Sequence, residues 1–197
     1  MLKAGKKQIY FKPQSEGKQM ELSIDLETTG TLVDSQILSI GLAMFNIKTG
    51  AIGNTLYIPI YLNNNEPINA TIGTVKFWIQ QSHKNPEALK GLFEFAENKN
   101  AVMLRDALVD VQVFVEANKP STVWANGTKF DLGMLEYQFQ KYEVDVPWMH
   151  NADRCMRTLR HFAGSIKIED DGVAHNALSD AIWQAKYISA ACKKLRI

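Results

Sequence analysis

The stretch Leu22-Ser23-Ile24-Asp25-Leu26-Glu27-Thr28-Thr29-Gly30 alternates in character: Leu22, Ile24 and Leu26 fall on one side of an extended chain, and Ser23, Asp25 and Glu27 on the other. It predicts a strand with one apolar and one acidic face. Carboxylates two residues apart on a strand emerge side by side, and like charges so placed repel unless a cation holds them. The pair therefore suits a hard divalent metal. An isolated Asp-x-Glu is also what a solvent-facing edge strand carries, so the rest of the chain has to decide between the two.

Working outward, residues 36–46 read as a second, mostly buried strand, and Lys48-Thr49-Gly50 as a turn into a third around Thr55 to Ile60. Asn63 to Pro67 is loop by composition. Thr74 is expected to cap a short helix containing Val75, Phe77, Trp78 and Ile79, Pro86 to open a helix running to Glu97, and a third helix to span Met103 to Ala117. Asn118, Pro120 and Ser121 break that pattern before the short strand Thr122 to Ala125. From Asp131 a helix follows with Leu132, Leu135 and Phe139 on its inner stripe. Trp148 to Asp153 reads as a last short strand and Arg157 to Phe162 as a helix. The final helix carries Ala177, Ala181, Ile188, Cys192 and Leu195 on one face. This order predicts an α/β fold with a mixed five-stranded sheet flanked by helices.

Composition narrows the function classes. With 22 Lys plus Arg against 21 Asp plus Glu, there is no broad positive field of the kind that coats nucleic acid without enzymology. Cys155 and Cys192 form no CxxC pair, which speaks against a zinc site or a disulfide framework and favours a reducing, cytoplasmic setting. The apolar stretch from Ile37 to Ile47 is too short and too interrupted to span a bilayer, and the lysine-rich start lacks the apolar core of a signal peptide. Residues 1–19 carry Lys3, Lys6, Lys7, Lys12 and Lys18 against Glu16, a composition suited to a solvated basic extension. Residues 20–197 are expected to form a single domain.

Two further elements carry acids at helix starts. In Asn126-Gly127-Thr128-Lys129-Phe130-Asp131 a strand ends and a helix begins at Asp131. In His175-Asn176-Ala177-Leu178-Ser179-Asp180 Asn176 is placed to cap the last helix, Asp180 falls in its opening turns, and His175 stays on the preceding loop. Taken singly, Asp131 reads first as a helix cap or dipole partner and His175 as an ordinary exposed or hydrogen-bonded loop histidine.

Together, IDLETTG (Ile24 to Gly30), NGTKFDLGML (Asn126 to Leu135) and HNALSD (His175 to Asp180) resemble the three exonuclease motifs of the DEDD superfamily. The histidine five residues before the last Asp places the resemblance in its RNase H-like DEDDh branch. TVKFWIQQSHKNPEAL (Thr74 to Leu89) and DGVAHNALSDAIWQAKYI (Asp171 to Ile188) look like the phage exonuclease A type, and are similar to exodeoxyribonuclease VIII-type and RNase AS-like enzymes. One departure is Gly127, four residues before Asp131, where many DEDD enzymes carry Asn. The resemblance covers about residues 20–192.

The resemblance implies a 3′-to-5′ exonuclease releasing 5′-mononucleotides. Two divalent cations, Mg²⁺ or Mn²⁺, would be held by Asp25, Glu27, Asp131 and Asp180, with His175 as general base. Leu26, Thr28, Thr29, Trp78 and Phe130 are the implied substrate-binding residues. Single-stranded DNA is the implied substrate. RNA is the alternative, because the chemistry attacks the phosphate and contacts to a 2′-hydroxyl are not legible in these motifs. From a different class, a catalytically silent nucleic-acid-binding module on the same fold is the other alternative. Asp153 reads as an outer acid, and Arg157, Arg160, His161 and Lys167 either as a local basic face for phosphates or, at least as readily, as the usual charges of a solvated helix surface. A homodimer is compatible with the resemblance, and no membrane partner is expected.

Overall fold

A computed structural model describes residues 8–10, 20–62, 67–84, 86, 100–169 and 175–197. Its strands are β1 (Gln8–Tyr10), β2 (Glu21–Thr28), β3 (Ile37–Phe45), β4 (Ile52–Pro59), β5 (Val123–Ala125) and β6 (Asp153–Cys155). The described helices are α1 (Ile72–Lys84), α2 (Leu104–Asn118), α3 (Asp131–Lys141), α4 (Met156–Ala163) and α5 (Ala177–Leu195). The helix expected from Pro86 to Glu97 lies, beyond its first residue, outside the described residues.

The sheet order is β1-β4-β3-β2-β5-β6. The β2–β3–β4 meander is antiparallel, while β2, β5 and β6 run parallel. These five strands make the mixed sheet read from the sequence. A sixth comes from the basic extension: Gln8–Tyr10 pairs antiparallel with Thr55–Tyr57 of β4, so this part of the arm adds to the sheet edge instead of standing free.

Among the described residues, two helices pack on each face of the sheet. Leu22, Ile24 and Leu26 point into the larger core with Leu108, Val111 and Phe114 of α2 and Leu132, Leu135 and Phe139 of α3. On the opposite face Phe45 and Trp124 pack with Met156 and Leu159 of α4 and Ala185, Ile188 and Cys192 of α5. The fold is thus an α/β sandwich, and the acidic side of β2 lies beneath α5 instead of facing solvent.

Two boundaries differ from the sequence reading. The last strand is Asp153–Cys155, not Trp148 to Asp153. Trp148 is instead drawn onto α3, where its Nε1 donates to Glu136 at 2.9 Å and its ring meets Phe139 edge-on at 5.7 Å. α1 begins before Thr74: Thr71 accepts from Thr74 N at 3.4 Å, and Val75 N donates to Thr71 O at 3.0 Å, so Thr71 stands at the helix entry and Thr74 inside the first turn.

The parallel part of the sheet positions the site. In open α/β sheets, ligands gather where parallel strands deliver their carboxyl ends. Here β2 ends just past Asp25 and Glu27, β5 leads into Asn126 and Asp131, and β6 into Arg157.

Candidate active site

An open cleft of about 790 Å³ lies at these strand ends, lined among others by Asp25, Glu27, Asp180, His175 and Arg157. The four acids arrive by three routes. Asp25 and Glu27 come from alternation along β2, whose ladder with β3 shifts register between Glu27 and Thr28. Asp180 comes from the first turn of α5, where Asn176 accepts from Ser179 N at 3.1 Å and so fixes the helix start. Asp131 opens α3 and is 2% exposed, beneath the cleft lining. Gly127 N donates to its Oδ2 at 3.4 Å.

Gly41 makes the approach of α5 feasible. It sits opposite Asp25 in the β2–β3 ladder, and the start of α5 lies directly against its bare backbone. A side chain here would hold the helix, and with it Asp180, away from the acids of β2.

Burial and mutual repulsion show in the titration of the acids. Asp25 is raised well above the ordinary carboxylate range, first by desolvation and then by Asp131, Glu27 and Asp180. Glu27 is pushed up to about 8 by desolvation, with Asp180 and Asp131 adding repulsion. Desolvation also lifts Asp131, to about 6, against backbone hydrogen bonds and the charge of Arg157, which lower it. Acids that resist ionisation because they are buried and repel one another are suited to receive a cation. Ligand atoms of Glu27, His175 and Asp180 all lie within 4.8 Å of one another, close enough to share one metal ion. With Asp25 and Asp131 beside them, the donors are almost all oxygens, the set that hard divalent ions take.

His175 occupies the left-handed backbone region at φ 63°, uncommon for a residue other than Gly, which turns the chain just before Asn176. Its ring meets Phe77 edge-on at 5.0 Å and Trp78 at 5.9 Å. These apolar surroundings desolvate the imidazole and lower its pKa below the usual 6.5. That is opposite to the rise which the neighbouring carboxylates alone suggest.

The implied substrate-binding residues divide. Leu26, Thr28, Trp78 and Phe130 line the cleft. Leu26 also belongs to the large core at 4% exposure, so its core and cleft readings both hold. Trp78 is buried, and its Nε1 donates to Thr28 O at 3.1 Å, tying α1 to the end of β2. The more exposed of the two aromatics is its neighbour Phe77. Thr29 is not among the lining residues: its hydroxyl bonds to Gln36 Oε1 at 3.0 Å and Asn69 O at 2.8 Å, bracing the following loop. Asp153 is exposed and lines a neighbouring cleft with Lys129 and His150.

One residue escaped the sequence reading altogether. Gln184, one turn after Asp180 and 3% exposed, donates from Nε2 to Asp25 Oδ1 at 2.6 Å. Only its i+4 spacing from Asp180 on the inner helix face signalled it.

A family model described as the 3′-5′ exoribonuclease Rv2179c-like domain matches residues 20–192. The chain belongs to this family. Among curated proteins no sequence matches it. Among solved structures, the nuclease domain of 3'hExo, a DEDDh family member bound to rAMP, is similar at TM-score 0.60 and 12% identity, over 91% of this chain and 94% of that one. A full-length 3′-exonuclease is similar at TM-score 0.56 and 14% identity, over 89% of this chain and 61% of the other. A 3′-exonuclease in 3′-end specific recognition of histone mRNA stem-loop follows at 0.51 and 12%, over 91% and 84%. At such identities the likeness is one of fold, and the fold is that of the RNase H-like DEDDh exonucleases.

Proposed function

We propose that this chain is a metal-dependent 3′-to-5′ exonuclease acting on single-stranded nucleic acid and releasing 5′-mononucleotides. The observation that carries the reading is the convergence of Glu27, His175 and Asp180 within 4.8 Å, in one cleft with Asp25. Four carboxylates with one histidine at their edge fit phosphodiester hydrolysis better than a surface that only binds an anion, which such acids would repel.

Asp25, Glu27, Asp131 and Asp180 would hold two Mg²⁺ or Mn²⁺ ions. When bound, these supply charge neutralisation and Lewis-acid stabilisation of the phosphoryl oxygens. The protein's own part is positioning and proton transfer. His175, neutral at working pH because its surroundings disfavour the cation, accepts the proton of the attacking water on a ring nitrogen. Thr28, Leu26 and Phe130 shape the seat of the terminal nucleotide, with Phe77 offering an exposed ring to its base.

The sugar has two readings. The phage-type resemblance of the motifs favours DNA, whereas the matched family model is described as exoribonuclease, which favours RNA. We place RNA first, since that match spans residues 20–192. Single-stranded RNA and DNA of one sequence, labelled at either end and incubated with Mn²⁺, test both. The expected result is stepwise loss from the 3′ end, faster on RNA, and none with Asp25→Ala or His175→Ala. Equal binding by wild type and Asp25→Ala with no cleavage of any substrate would replace the enzyme by a binding module.

A further inference from the structure

The cleft is lined by three carboxylates, and the fourth lies just behind them, yet among its described lining residues it holds one permanently cationic side chain, Arg157. Arg157 stands in the first turn of α4, directly after β6, and its backbone N–H donates to Asn126 O at 3.2 Å, which locks this turn to the end of β5. Its guanidinium lies against Gly127. A Cβ there would fall 3.3 Å from Arg157 Cζ, 3.4 Å from Nη1 and 3.6 Å from Nε, so the planar group covers the glycine backbone and any side chain would crowd it.

An arginine so placed admits two uses. It is a counter-charge for Asp131, whose pKa it lowers, although burial and backbone hydrogen bonds weigh more on that group. Among the described residues no hydrogen bond or ion pair engages its guanidinium, and the residue is exposed at the cleft. A guanidinium with its fork of donors unspent, beside a site where a phosphodiester must sit, has the chemistry to grip that anion. The acids cannot supply this grip: once neutralised they are held by cations, and otherwise they repel the strand.

We propose that Arg157 is a phosphate-binding residue of this site, its guanidinium held open over Gly127 to take the backbone of the bound strand. The inference rests on the exonuclease reading and adds a specific contact to it. The contact is blind to base identity, so it serves affinity and register along the strand.

The test measures binding of a fluorescent single-stranded RNA in Mn²⁺ over a range of salt, in a His175→Ala background to halt hydrolysis. Arg157→Gln is expected to weaken binding about ten- to a hundredfold whatever the base sequence, and to make the slope of log affinity against log salt shallower by about 0.7. Arg157→Lys keeps the charge but loses the fork, so it should retain the slope and fall between the two in affinity. Mn²⁺ uptake without nucleic acid, followed by calorimetry, should not fall in either variant, since loss of a nearby positive charge does not disfavour a cation. An unchanged slope with affinity within twofold of the parent overturns the proposal. So does a loss of Mn²⁺ uptake with the salt slope intact, which would assign Arg157 to Asp131 alone. Wild type that neither binds nor shortens any oligonucleotide removes the exonuclease reading and this inference together, whereas an active wild type with an unaltered Arg157→Gln removes this inference only.

Discussion

A Cβ placed on Gly41 would lie 2.2 Å from both the carbonyl carbon and the carbonyl oxygen of Ala177. Both neighbours are backbone, which cannot swing aside as a side-chain tip can. Gly41→Ala should therefore push the first turn of α5, and Asp180 with it, away from Asp25 and Glu27. Overpacking of this kind costs about 1–3 kcal/mol. The expected result is a lowered denaturation midpoint, and a loss of activity per folded molecule larger than the stability change explains. Wild-type activity in Gly41→Ala would show that the helix start is not held by this contact.

Removing one of the crowded charges should help the metal-free fold and abolish the proposed activity. Asp25 faces three other acids in a desolvated place. Asp25→Asn keeps the shape and can keep a hydrogen bond with Gln184 while relieving repulsion. For a domain of this size, about 1 kcal/mol of relief corresponds to a rise in Tm of roughly 2–4 °C. In EDTA the variant should melt above wild type. With saturating Mn²⁺ wild type should gain stability and the variant little, because binding to the folded state alone is what stabilises it.

Stability without metal should fall as pH rises. Glu27 is raised from 4.5 to about 8 and Asp131 from 3.8 to about 6 in the folded chain, so between the unfolded and folded values the folded state binds more protons than the unfolded one. The stabilising contribution is complete below about pH 4 and is lost as pH climbs through about 6 and then about 8. Melting in EDTA across pH 5 to 9 should show the decline, and Mn²⁺ should flatten or reverse it, since the cation replaces the protons. A Tm in EDTA that climbs over this range would contradict the burial of these acids.

Activity at saturating metal should rise with pH, with a midpoint below the ordinary 6.5 of histidine, because desolvation by Phe77 and Trp78 disfavours the imidazolium. Phe77→Ala opens one side of the ring to water and should move the midpoint upward. A rate profile flat from pH 5 to pH 9 when chemistry limits would rule His175 out as the base.

Gln184→Met should separate stability from metal affinity. Gln184 Oε1 is buried without a partner, a condition that costs about 1–3 kcal/mol relative to a satisfied group. Methionine of similar length removes that penalty and also removes the bond to Asp25. The metal-free variant should change little in stability, because the relief at Gln184 Oε1 is offset by the donor lost to Asp25, while Mn²⁺ affinity falls about ten- to a hundredfold, as when the partner orienting a ligand is lost. Equal Mn²⁺ affinity by calorimetry would make the amide a packing residue only.

Much of this site was legible in the chain because its acids stand where local rules leave a mark. Alternation around Asp25 and Glu27 and the helix starts at Asp131 and Asp180 are short-range signals, and the parallel strands then need only bring three chain segments to one end of the sheet. What stayed hidden depends on contacts between distant segments. Nothing around Gly41 says that a helix some 136 positions later rests on it. Gln184 looks like any polar residue on an amphipathic helix until Asp25 is seen above it. The neighbours of Trp148 suit a strand, yet Glu136 and Phe139 hold it on α3. Thr29 sits inside the first motif but turns its hydroxyl to Gln36 and Asn69, a choice set by a loop forty residues away.

The little strand Gln8–Tyr10 has a practical consequence for handling the protein. It covers the ladder groups of Thr55 to Tyr57, which are otherwise the outer rim of the sheet. A chain trimmed to begin at residue 20 would retain every group named in the chemistry, but it would bare a row of unsatisfied amides and carbonyls of the kind that templates strand exchange between molecules. Self-association in such a truncated form would then report a missing cover, and assembly has to be judged on a chain that keeps Gln8–Tyr10.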